Sequence, residues 1–465
     1  NHHHNYTYCN CSNSNFYYWC RYTTFIRFTT NNAFSYKILV IQILQMKFNV
    51  FKNTVFSIIT GFVLVMISCG NFSKKTDDRR PMTEVSDSEE ILRSALNDTV
   101  IVGANRTELY VPNLKGKRVG VVANQTSVVF NDGSYTHLVD SLLSMNINIK
   151  KVFSPEHGFR GKADAGELVE DGMDTKTGLP IISLHGKHKK PSAEQLKDLD
   201  IIVFDIQDVG ARFYTYLSTM HYVMEACAEL DKKLIILDRP NPNGFYVDGP
   251  VLDTKFKSFV GMHPIPIVHG MTFGELANMI VGERWIEEGL DYKIVSCMGY
   301  DHQSTFDLPI KPSPNLPNLR SILLYPSICL FEPTDFSVGR GTNMQFQVVG
   351  RPELQTSSFM FTPTSMPGAR SPKHLNEDCY GVNLQEYQLD KIYTTQKIDL
   401  SFLIKFLSTD QIELITNTSF FDKLAGTDRL RLDLASGKSE QEIRDAWQPE
   451  LDVFKKKRLK YLIYD

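Results

Sequence analysis

Short runs of apolar, mostly β-branched residues alternate with polar loops and amphipathic stretches from about residue 101 onward. These runs predict strands at 118–123, 151–153, 181–184, 201–205 and 234–238. The spacing of apolar residues predicts helices at 136–145 and 216–230. Continuous apolar strands that alternate with helices are typical of a parallel sheet covered on both faces. The pattern therefore predicts an α/β fold.

The chain changes character after residue 300. Residues 300–320 are rich in proline, which favours an extended, structured linker or rim. We interpret the apolar stretch 321–331 as a buried strand, whereas 383–465 carries strand and helix signals in mixed order. We therefore predict a larger domain at 101–318 and a smaller C-terminal α/β domain at 319–465.

The first 100 residues are predicted to stand apart from these domains. Residues 1–45 lack Met, and we interpret them as sequence upstream of the true start, with a genuine disordered extension as the alternative. At 46–68, two lysines precede an apolar run whose length suits a signal peptide better than a membrane span. Residues 69–100 are polar and charged and are predicted to form a tether.

Cys69 follows Ser68 and precedes Gly70 and a polar stretch, a pattern that resembles a bacterial lipoprotein cleavage site. We predict that Cys69 is lipidated and that the protein is exported as a membrane-anchored lipoprotein, in the periplasm or at the cell surface. An uncleaved N-terminal anchor is the alternative, and it also places the rest of the chain outside the cytoplasm.

Composition narrows the function classes. The 50 Lys and Arg against 53 Asp and Glu give a net charge of −3, so no bulk positive field favours nucleic acid as a partner. With 42% hydrophobic and 22% charged residues, the chain is neither disordered nor collagen-like. Cys227, Cys297, Cys329 and Cys379 contain no CxxC pair and are interpreted as buried apolar residues, although spacing leaves a disulfide open.

The chain lacks the local motifs of several enzyme classes. It has no GxGxxG after a strand, no Walker GxxxxGK[ST], no GxSxG and no HExxH. Nucleotide-dependent, serine-hydrolase and zinc-protease functions therefore lose their usual support, and we predict no cofactor.

Polar residues follow five of the predicted strands at the point where each strand ends. Because ligands of open α/β sheets bind at the carboxyl ends of the strands, these residues predict one site there. In chain order they are Asn124, Gln125, Glu156, His157, His185, Asp205, Gln207, Asp208, Asp238, Arg239 and Asn241, with Arg212 and Tyr214 shortly after the fourth strand.

Four of these residues are carboxylates that could supply the acid and the second group of a glycoside hydrolase, namely Glu156, Asp205, Asp208 and Asp238. Each also has a structural interpretation that the sequence leaves open. Asp205 could cap the following loop, and the others could form ion pairs with Arg160, Arg212 and Arg239, respectively.

Other side chains in the set suit a sugar that carries a carboxylate. Amide and aromatic groups that could contact sugar rings and acetamido groups are Asn124, Gln207, Tyr214, Tyr216 and Asn241. Arg212, Arg239 and Arg340 could bind a carboxylate such as the lactyl group of muramic acid.

The histidines offer a different chemistry. His157, His185, His188 and His269 could bind a metal with Asp205 or Asp208, but none shows a recognisable metal spacing. We therefore predict no metal site and keep a metal-dependent hydrolase as the weakest alternative.

Seven stretches of the chain match the motifs of one family. They are SPEHGFRG at 154–161, DIQDVGARFYTY at 205–216, LDRPNP at 237–242, GPVL at 249–252, PIVHGMTFGEL at 266–276, PSPN at 312–315 and GRGT at 339–342. From about Lys117 to its C-terminus, the chain resembles the NamZ-type peptidoglycan exo-β-N-acetylmuramidases, long known only as a domain of unknown function.

This resemblance implies a Rossmann-like domain without a nucleotide, joined to a smaller α/β domain, with the active cleft between them. It implies a glycosidase of cell-wall turnover that releases N-acetylmuramic acid from the non-reducing end of peptidoglycan fragments. Glu156 becomes the predicted catalytic acid/base, and the predicted catalytic set also contains His157, Asp205 and Asp208. The predicted substrate-binding residues are Asn124, Arg160, His185, Gln207, Arg212, Tyr214, Arg239, His269 and Arg340.

A surface lipoprotein that binds cell-wall sugar without cleaving it is the principal alternative, because such a site could bind as easily as hydrolyse.

Overall fold

The computed structural model describes residues 100–160, 171–354 and 357–464. The predicted upstream segment, the signal peptide, Cys69 and all but the last residue of the tether lie outside the described residues. Within the three described ranges, no helix is both long enough and apolar enough to cross a membrane.

Seven strands form the main sheet, and two more form a separate antiparallel hairpin, β2 with β3, in the part of the chain that is described. The strands are β1 (Val119–Ala123), β2 (Val128–Asn131), β3 (Ser134–His137), β4 (Ile149–Ser154), β5 (Gly172–Met173), β6 (Pro180–Ser183), β7 (Ile201–Asp205), β8 (Lys233–Leu237) and β9 (Tyr292–Val295). The order across the sheet is β5-β6-β4-β1-β7-β8-β9. Neighbouring strands are parallel except β5 and β6, which confirms the predicted class.

This strand order creates a switch point beside β1. The chain runs from β1 outward to β4 and β6, crosses to β7 on the other side of β1, and continues to β8 and β9. Such an order is that of a Rossmann-like sheet, whose ligands bind outside the carboxyl ends of the strands at the switch point. The carboxyl ends of β4, β1 and β7 therefore lie side by side.

Apolar cores on both faces of the sheet explain why the predicted strands form. The helices of this part are α1 (Thr107–Leu114), α2 (Leu138–Ser144), α3 (Ala193–Leu196), α4 (Tyr216–Glu229) and α5 (Phe273–Gly282), with 3₁₀ turns at Gly103–Asn105 and Thr254–Phe256. Every residue of β1 and β7 is buried. In β7, Ile202 and Phe204 belong to one core, whereas Ile201 and Val203 belong to a second core, as expected for side chains that alternate between two faces.

The rest of the described chain forms a smaller domain around an antiparallel sheet. Its strands are β10 (Val348–Arg351), β11 (Phe359–Phe361) and β12 (Cys379–Asn383), in the order β10-β12-β11. Its helices are α6 (Leu319–Ile328), α7 (Asp390–Thr395), α8 (Ser401–Phe406), α9 (Thr418–Ala425), α10 (Arg429–Ala435) and α11 (Glu440–Arg458), with 3₁₀ turns at Cys329–Phe331 and Thr409–Leu414. Phe421 of α9 and Trp447 of α11 share one apolar core with Phe204 of β7, so the two domains pack together.

The predicted strand at 321–331 is wrong, because α6 and the following 3₁₀ turn occupy this stretch. Asn318 begins the helix, since its side chain accepts a hydrogen bond from the backbone amide of Ser321 and the Ser321 hydroxyl accepts one from the Asn318 amide. A continuous apolar run does not distinguish a helix buried on all sides from a buried strand. The predicted helix at 136–145 begins at Leu138, because the two residues before it end the β2–β3 hairpin.

Candidate active site

A cavity of about 350 Å³ lies beyond the carboxyl end of β4, where both domains contribute to its walls. The aromatic residues that line it are Phe213, Tyr214, Tyr216, Phe259, Tyr325, Phe346 and Phe420. The polar and charged residues of the lining are Glu156, His157, His185, Thr215, Ser313, Asn315, Glu332 and Arg340. The predicted site residues in this lining are thus Glu156, His157, His185, Tyr214, Tyr216 and Arg340.

Glu156 reaches the cavity because β4 ends at Ser154, two residues before it. His157 has φ 68° and Gly158 has φ 77°, both in the left-handed region, so the chain turns sharply after Glu156. The hydroxyl of Thr215 donates a hydrogen bond of 2.7 Å to Glu156 Oε2. Thr215 directly precedes α4, and its side chain makes no cap hydrogen bond to the helix. The residue at the start of α4 therefore positions the Glu156 carboxylate.

Two tyrosines fix the proline-rich loop as a wall of the cavity. The rings of Tyr214 and Tyr216 are in edge contact, with 4.7 Å between their centroids. Their hydroxyls donate to the carbonyl of Pro312 at 2.8 and 3.3 Å, and the side-chain amide of Gln125 donates to the same carbonyl at 2.9 Å. Burial and the charge of Glu156 raise the pKa of Tyr216, so this hydroxyl stays a neutral donor. The proline-rich segment is a structured rim, as predicted.

The C-terminal domain contributes an ion pair to the lining. Oε1 of Glu332 accepts a hydrogen bond of 2.9 Å from Nε of Arg340. The Arg340 guanidinium lies 5.0 Å from the centroid of the Phe346 ring. Burial acts to lower the pKa of Arg340, but the Glu332 carboxylate outweighs it and holds the pKa above its ordinary value. Arg340 therefore lines the cavity as a permanent cation.

Asp205 and Arg239 form a buried ion pair and are not part of the lining. Arg239 donates from Nε to Asp205 Oδ1 at 2.6 Å and from Nη2 to Oδ2 at 2.9 Å. Burial raises the pKa of Asp205, and the Arg239 charge opposes this rise. The structure does not bring Asp205 to the cavity as the catalytic assignment requires. The alternative interpretation of Asp238 is an ion pair with Arg239, but the Arg239 side chain pairs with Asp205 instead.

Asp208 and His269 also lie together outside the lining. His269 Nε2 is 3.5 Å from Asp208 Oδ2, which accepts a hydrogen bond from the Gly210 amide at 3.0 Å. Within the described residues, neither Asp208 Oδ1 nor His269 Nε2 has a hydrogen-bond partner. The predicted catalytic role of Asp208 and the predicted substrate contact of His269 therefore have no support from the cavity.

Arg212 joins the two domains instead of binding at the cavity. Its guanidinium donates to the carbonyls of Pro250 and Ile265 at 2.8 and 2.9 Å, and to that of Leu424, at the end of α9, at 2.8 Å. Burial lowers the pKa of Arg212 to about 9. A residue predicted to contact substrate therefore holds the C-terminal domain against the sheet domain.

The remaining predicted substrate contacts stabilise loops near the edge of the sheet. The Gln207 amide donates to the carbonyl of Pro240 at 2.6 Å. Asn124 is fully buried, and its Oδ1 accepts two hydrogen bonds from a nearby threonine. Arg160 pairs with Asp174 at 2.8 Å. None of the three predicted residues belongs to the described lining of the cavity.

Sequence reasoning missed several residues of the lining, among them Thr215, Phe259, Tyr325, Glu332 and Phe346. Thr215 lies inside a matched motif, so its neighbourhood was identified even though its role was not. Glu332 and Phe346 lie on either side of the GRGT motif, which is a local signal that points to both.

The described cysteines form no disulfide, and the potential metal ligands of the described residues do not cluster. Cys227, Cys297, Cys329 and Cys379 are buried and free, as the interpretation as apolar residues predicted. Burial raises the pKa of the Cys329 thiol, which lies beside the cavity. In the part of the chain that is described, no three or more His, Cys, Asp or Glu side chains cluster as metal ligands would.

The fold and site are those of an α/β protein with a Rossmann-like sheet and an aromatic, carboxylate-bearing cavity at its carboxyl edge. The chain belongs to the NamZ family of exo-β-N-acetylmuramidases, because the family's N-terminal model matches residues 119–320 and its C-terminal model matches residues 323–464.

Two further comparisons agree with this family. The chain is 41% identical over 374 residues to the peptidoglycan β-N-acetylmuramidase NamZ of Bacillus subtilis (strain 168). This match covers 76% of this chain and 89% of that protein. Crystal structures of two DUF1343 family proteins from Bacteroides fragilis NCTC 9343 superpose with TM-scores of 0.71 and 0.66, at 48% and 28% identity. Each match covers 79% of this chain and 99% of the other.

Proposed function

We propose that the protein is an exo-acting glycosidase that releases N-acetylmuramic acid from the non-reducing ends of peptidoglycan fragments. One observation carries the proposal: Glu156 lines an aromatic cavity, with the Thr215 hydroxyl on its carboxylate, in a member of the NamZ family. Aromatic faces suit pyranose rings, and Asn315, whose Nδ2 donates to the Gly368 carbonyl at 2.8 Å, offers its side-chain oxygen to a hydroxyl or acetamido N–H of the sugar.

In the proposed reaction, Glu156 is the general acid. It donates its proton to the glycosidic oxygen as the anomeric carbon gains positive charge. The hydrogen bond of 2.7 Å from Thr215 fixes the orientation of the Glu156 carboxyl group. The lactyl carboxylate of N-acetylmuramic acid is proposed to meet Arg340, the guanidinium in the lining.

The substitution Glu156→Gln tests this role. On a disaccharide of N-acetylmuramic acid and N-acetylglucosamine, we expect kcat to fall by about 10²- to 10⁴-fold, because the leaving oxygen is no longer protonated. On p-nitrophenyl N-acetylmuramide the loss should be smaller, because p-nitrophenolate leaves without protonation. Chromatography of the released sugar and absorbance of the phenolate measure the two rates.

Glu194→Gln is the matched control, since Glu194 is an exposed residue of α3 and its variant should keep wild-type rates. Full activity of Glu156→Gln on both substrates would remove Glu156 from the role of acid. A wild-type protein that binds both sugars and releases neither product would instead favour the non-catalytic binder.

We propose further that the protein is exported and held at a membrane by a lipid on Cys69. The support is the order of features in the sequence: two lysines, an apolar run, and Ser68-Cys69-Gly70 before a polar stretch. An anchored muramidase would act where peptidoglycan fragments arise.

Metabolic labelling with an alkyne fatty acid in a bacterial host tests the anchor. The full chain should be labelled and sediment with membranes, whereas Cys69→Ala should be unlabelled and leave the membrane fraction. Cys227→Ala, which alters a buried cysteine, should be labelled like the wild type. Label that persists in Cys69→Ala would refute the lipid assignment.

A further inference from the structure

We propose that Glu332 is the second catalytic carboxylate of this site. The proposal rests on the proposed glycosidase function and deepens it, because it names the group that acts at the anomeric carbon opposite the departing oxygen. Among the described residues that line the cavity, the carboxylates are Glu156 and Glu332. Two-carboxylate glycoside hydrolases need both groups in one cleft, and neither Asp205 nor Asp208 belongs to this lining.

The backbone on both sides of Glu332 is fixed. The Glu332 amide donates to the Cys329 carbonyl at 3.0 Å, and the carbonyl of Pro333 accepts from the Asn417 amide at 3.0 Å. Phe331, immediately before Glu332, is fully buried. The Glu332 side chain itself keeps 22% of its surface exposed, and it lines both this cavity and a neighbouring one of about 390 Å³ that Arg340 also lines. A carboxylate on a fixed backbone beside an open cavity meets the requirement for reaction at a defined carbon atom.

The two carboxylates have different hydrogen-bond donors beside them, and this difference indicates which one acts as the acid and which as the second carboxylate. Glu156 receives a hydrogen bond from the neutral hydroxyl of Thr215. Glu332 lies 2.9 Å from a guanidinium nitrogen of Arg340. An adjacent cation favours the ionised form of a carboxyl group, whereas a neutral hydroxyl is compatible with a carboxyl group that carries a proton. We therefore assign Glu156, which accepts from Thr215, as the acid, and Glu332, which lies beside Arg340, as the second carboxylate.

In the catalysed step, the bond between the anomeric carbon and the glycosidic oxygen breaks, and its electron pair goes to that oxygen, which takes the proton of Glu156. An oxygen atom bonds to the anomeric carbon from the opposite face. This oxygen belongs to a water molecule whose proton Glu332 accepts, or to Glu332 itself, which water then displaces with Glu156 as the base. Both routes add one water molecule across the bond. The second route returns both carboxyl groups to their starting states, whereas the first leaves Glu156 ionised and Glu332 protonated until proton exchange with solvent resets them.

Azide rescue of Glu332→Ala tests this assignment on p-nitrophenyl β-N-acetylmuramide. We expect kcat to fall by about 10²- to 10⁴-fold. Sodium azide should restore part of the rate, because the shortened side chain leaves room for the anion on that face. The product should be the α-glycosyl azide, which NMR identifies. Glu353→Ala is the matched control, because it removes an Arg–Glu ion pair of the same domain outside the cavity, and should keep the wild-type rate.

Glu332→Gln covers the case in which the alanine variant does not fold. This variant keeps the size of the side chain and an acceptor for Arg340, and we expect a similar loss of kcat with KM little changed. The melting temperature should stay close to the wild-type value, because this ion pair, unlike that of Asp205 and Arg239, is partly exposed. A structural role would instead lower the melting temperature and leave kcat of the folded fraction near the wild-type value.

Two results would overturn the role of Glu332. One is a variant that keeps most of the wild-type kcat. The other is a folded, inactive Glu332→Ala that yields no glycosyl azide, or the β-azide, at high azide concentration. Both differ from a failure of the proposed function, in which the wild-type protein itself would not hydrolyse the N-acetylmuramide, and the role of Glu332 would fall with it.

Discussion

At the scale of single residues, Glu156 and Asp205 show what a position in the sequence leaves undecided. Both stand at the carboxyl ends of buried strands, and the sequence predicts that both belong to one site. Glu156 lines the cavity, whereas Asp205 pairs with Arg239, a residue that follows β8. The strand pattern places a carboxylate at the edge of the sheet, but the partner of its side chain depends on a loop that is distant in sequence.

Replacement of Asp205 distinguishes the structural role from the catalytic one. We expect Asp205→Asn to lower the free energy of unfolding by about 3–5 kcal/mol, because the change leaves the Arg239 charge buried without its partner. At a temperature where the variant is folded, kcat should stay within a few-fold of the wild-type value. Denaturant unfolding and kinetics on the same preparation measure the two quantities.

Asp200→Asn is the control for the same chemical change, because Asp200 forms an exposed ion pair with Arg118. Exposed pairs contribute little, so this variant should be nearly as stable as the wild type. A folded Asp205→Asn variant with a large loss of kcat and normal stability would restore Asp205 to the catalytic set.

At the scale of elements, the strands of the parallel sheet could be predicted because they are buried on both faces. A strand such as β7 has no polar position before its last residue, Asp205, so its bounds follow from the apolar run itself. For the same reason, the segment of α6 is wrongly predicted to be a strand. Nine of its ten residues are buried, so its sequence shows no helical periodicity. The capping pair of Asn318 and Ser321 is the local signal that identifies this segment as a helix.

At the scale of the whole molecule, the sequence predicts mainly the part of the site that the parallel sheet supplies, and Arg340 of the GRGT motif is the one lining residue of the C-terminal domain that it predicts. Glu156, His157 and Tyr214 follow strands of that sheet, so the rule for open α/β sheets applies to them. Glu332 and Phe346 come from the other domain, and their approach depends on how the two domains pack. No spacing in the sequence reports that packing.

The packing of the whole molecule also keeps three histidines neutral. Nδ1 of His137 accepts from the Val139 amide at 3.3 Å, while its Nε2 bonds the Asn124 carbonyl at 2.9 Å, a pattern that the neutral Nε2–H tautomer satisfies. Nε2 of His263 lies 3.0 Å from Nδ1 of His221, so one of the two nitrogens must accept. Burial lowers the pKa of His137 and of His221 to about 4, and that of His263 well below its ordinary value.

These three groups make the folded protein sensitive to acid. Because their pKa values are lower in the folded state than the ordinary value of 6.5, the unfolded chain binds protons that the folded chain does not, between pH 6.5 and about 4. Their contribution to stability is therefore lost as the pH falls through this window. Asp238 acts in the opposite sense, because burial raises its pKa to about 6 and its contribution is lost as the pH rises from about 4 to 6.

The variant His137→Asn isolates one of these contributions. Asparagine keeps an acceptor for the cap of α2 but does not titrate, so the variant should lose less stability than the wild type between pH 6.5 and 4. For a pKa of about 4 the difference is at most about 3 kcal/mol. Urea unfolding at several pH values measures it, and His188→Asn, at an exposed position, should follow the wild-type curve. Identical pH dependence of His137→Asn and the wild type would mean that His137 titrates normally in the folded protein, and that its burial does not limit stability in acid.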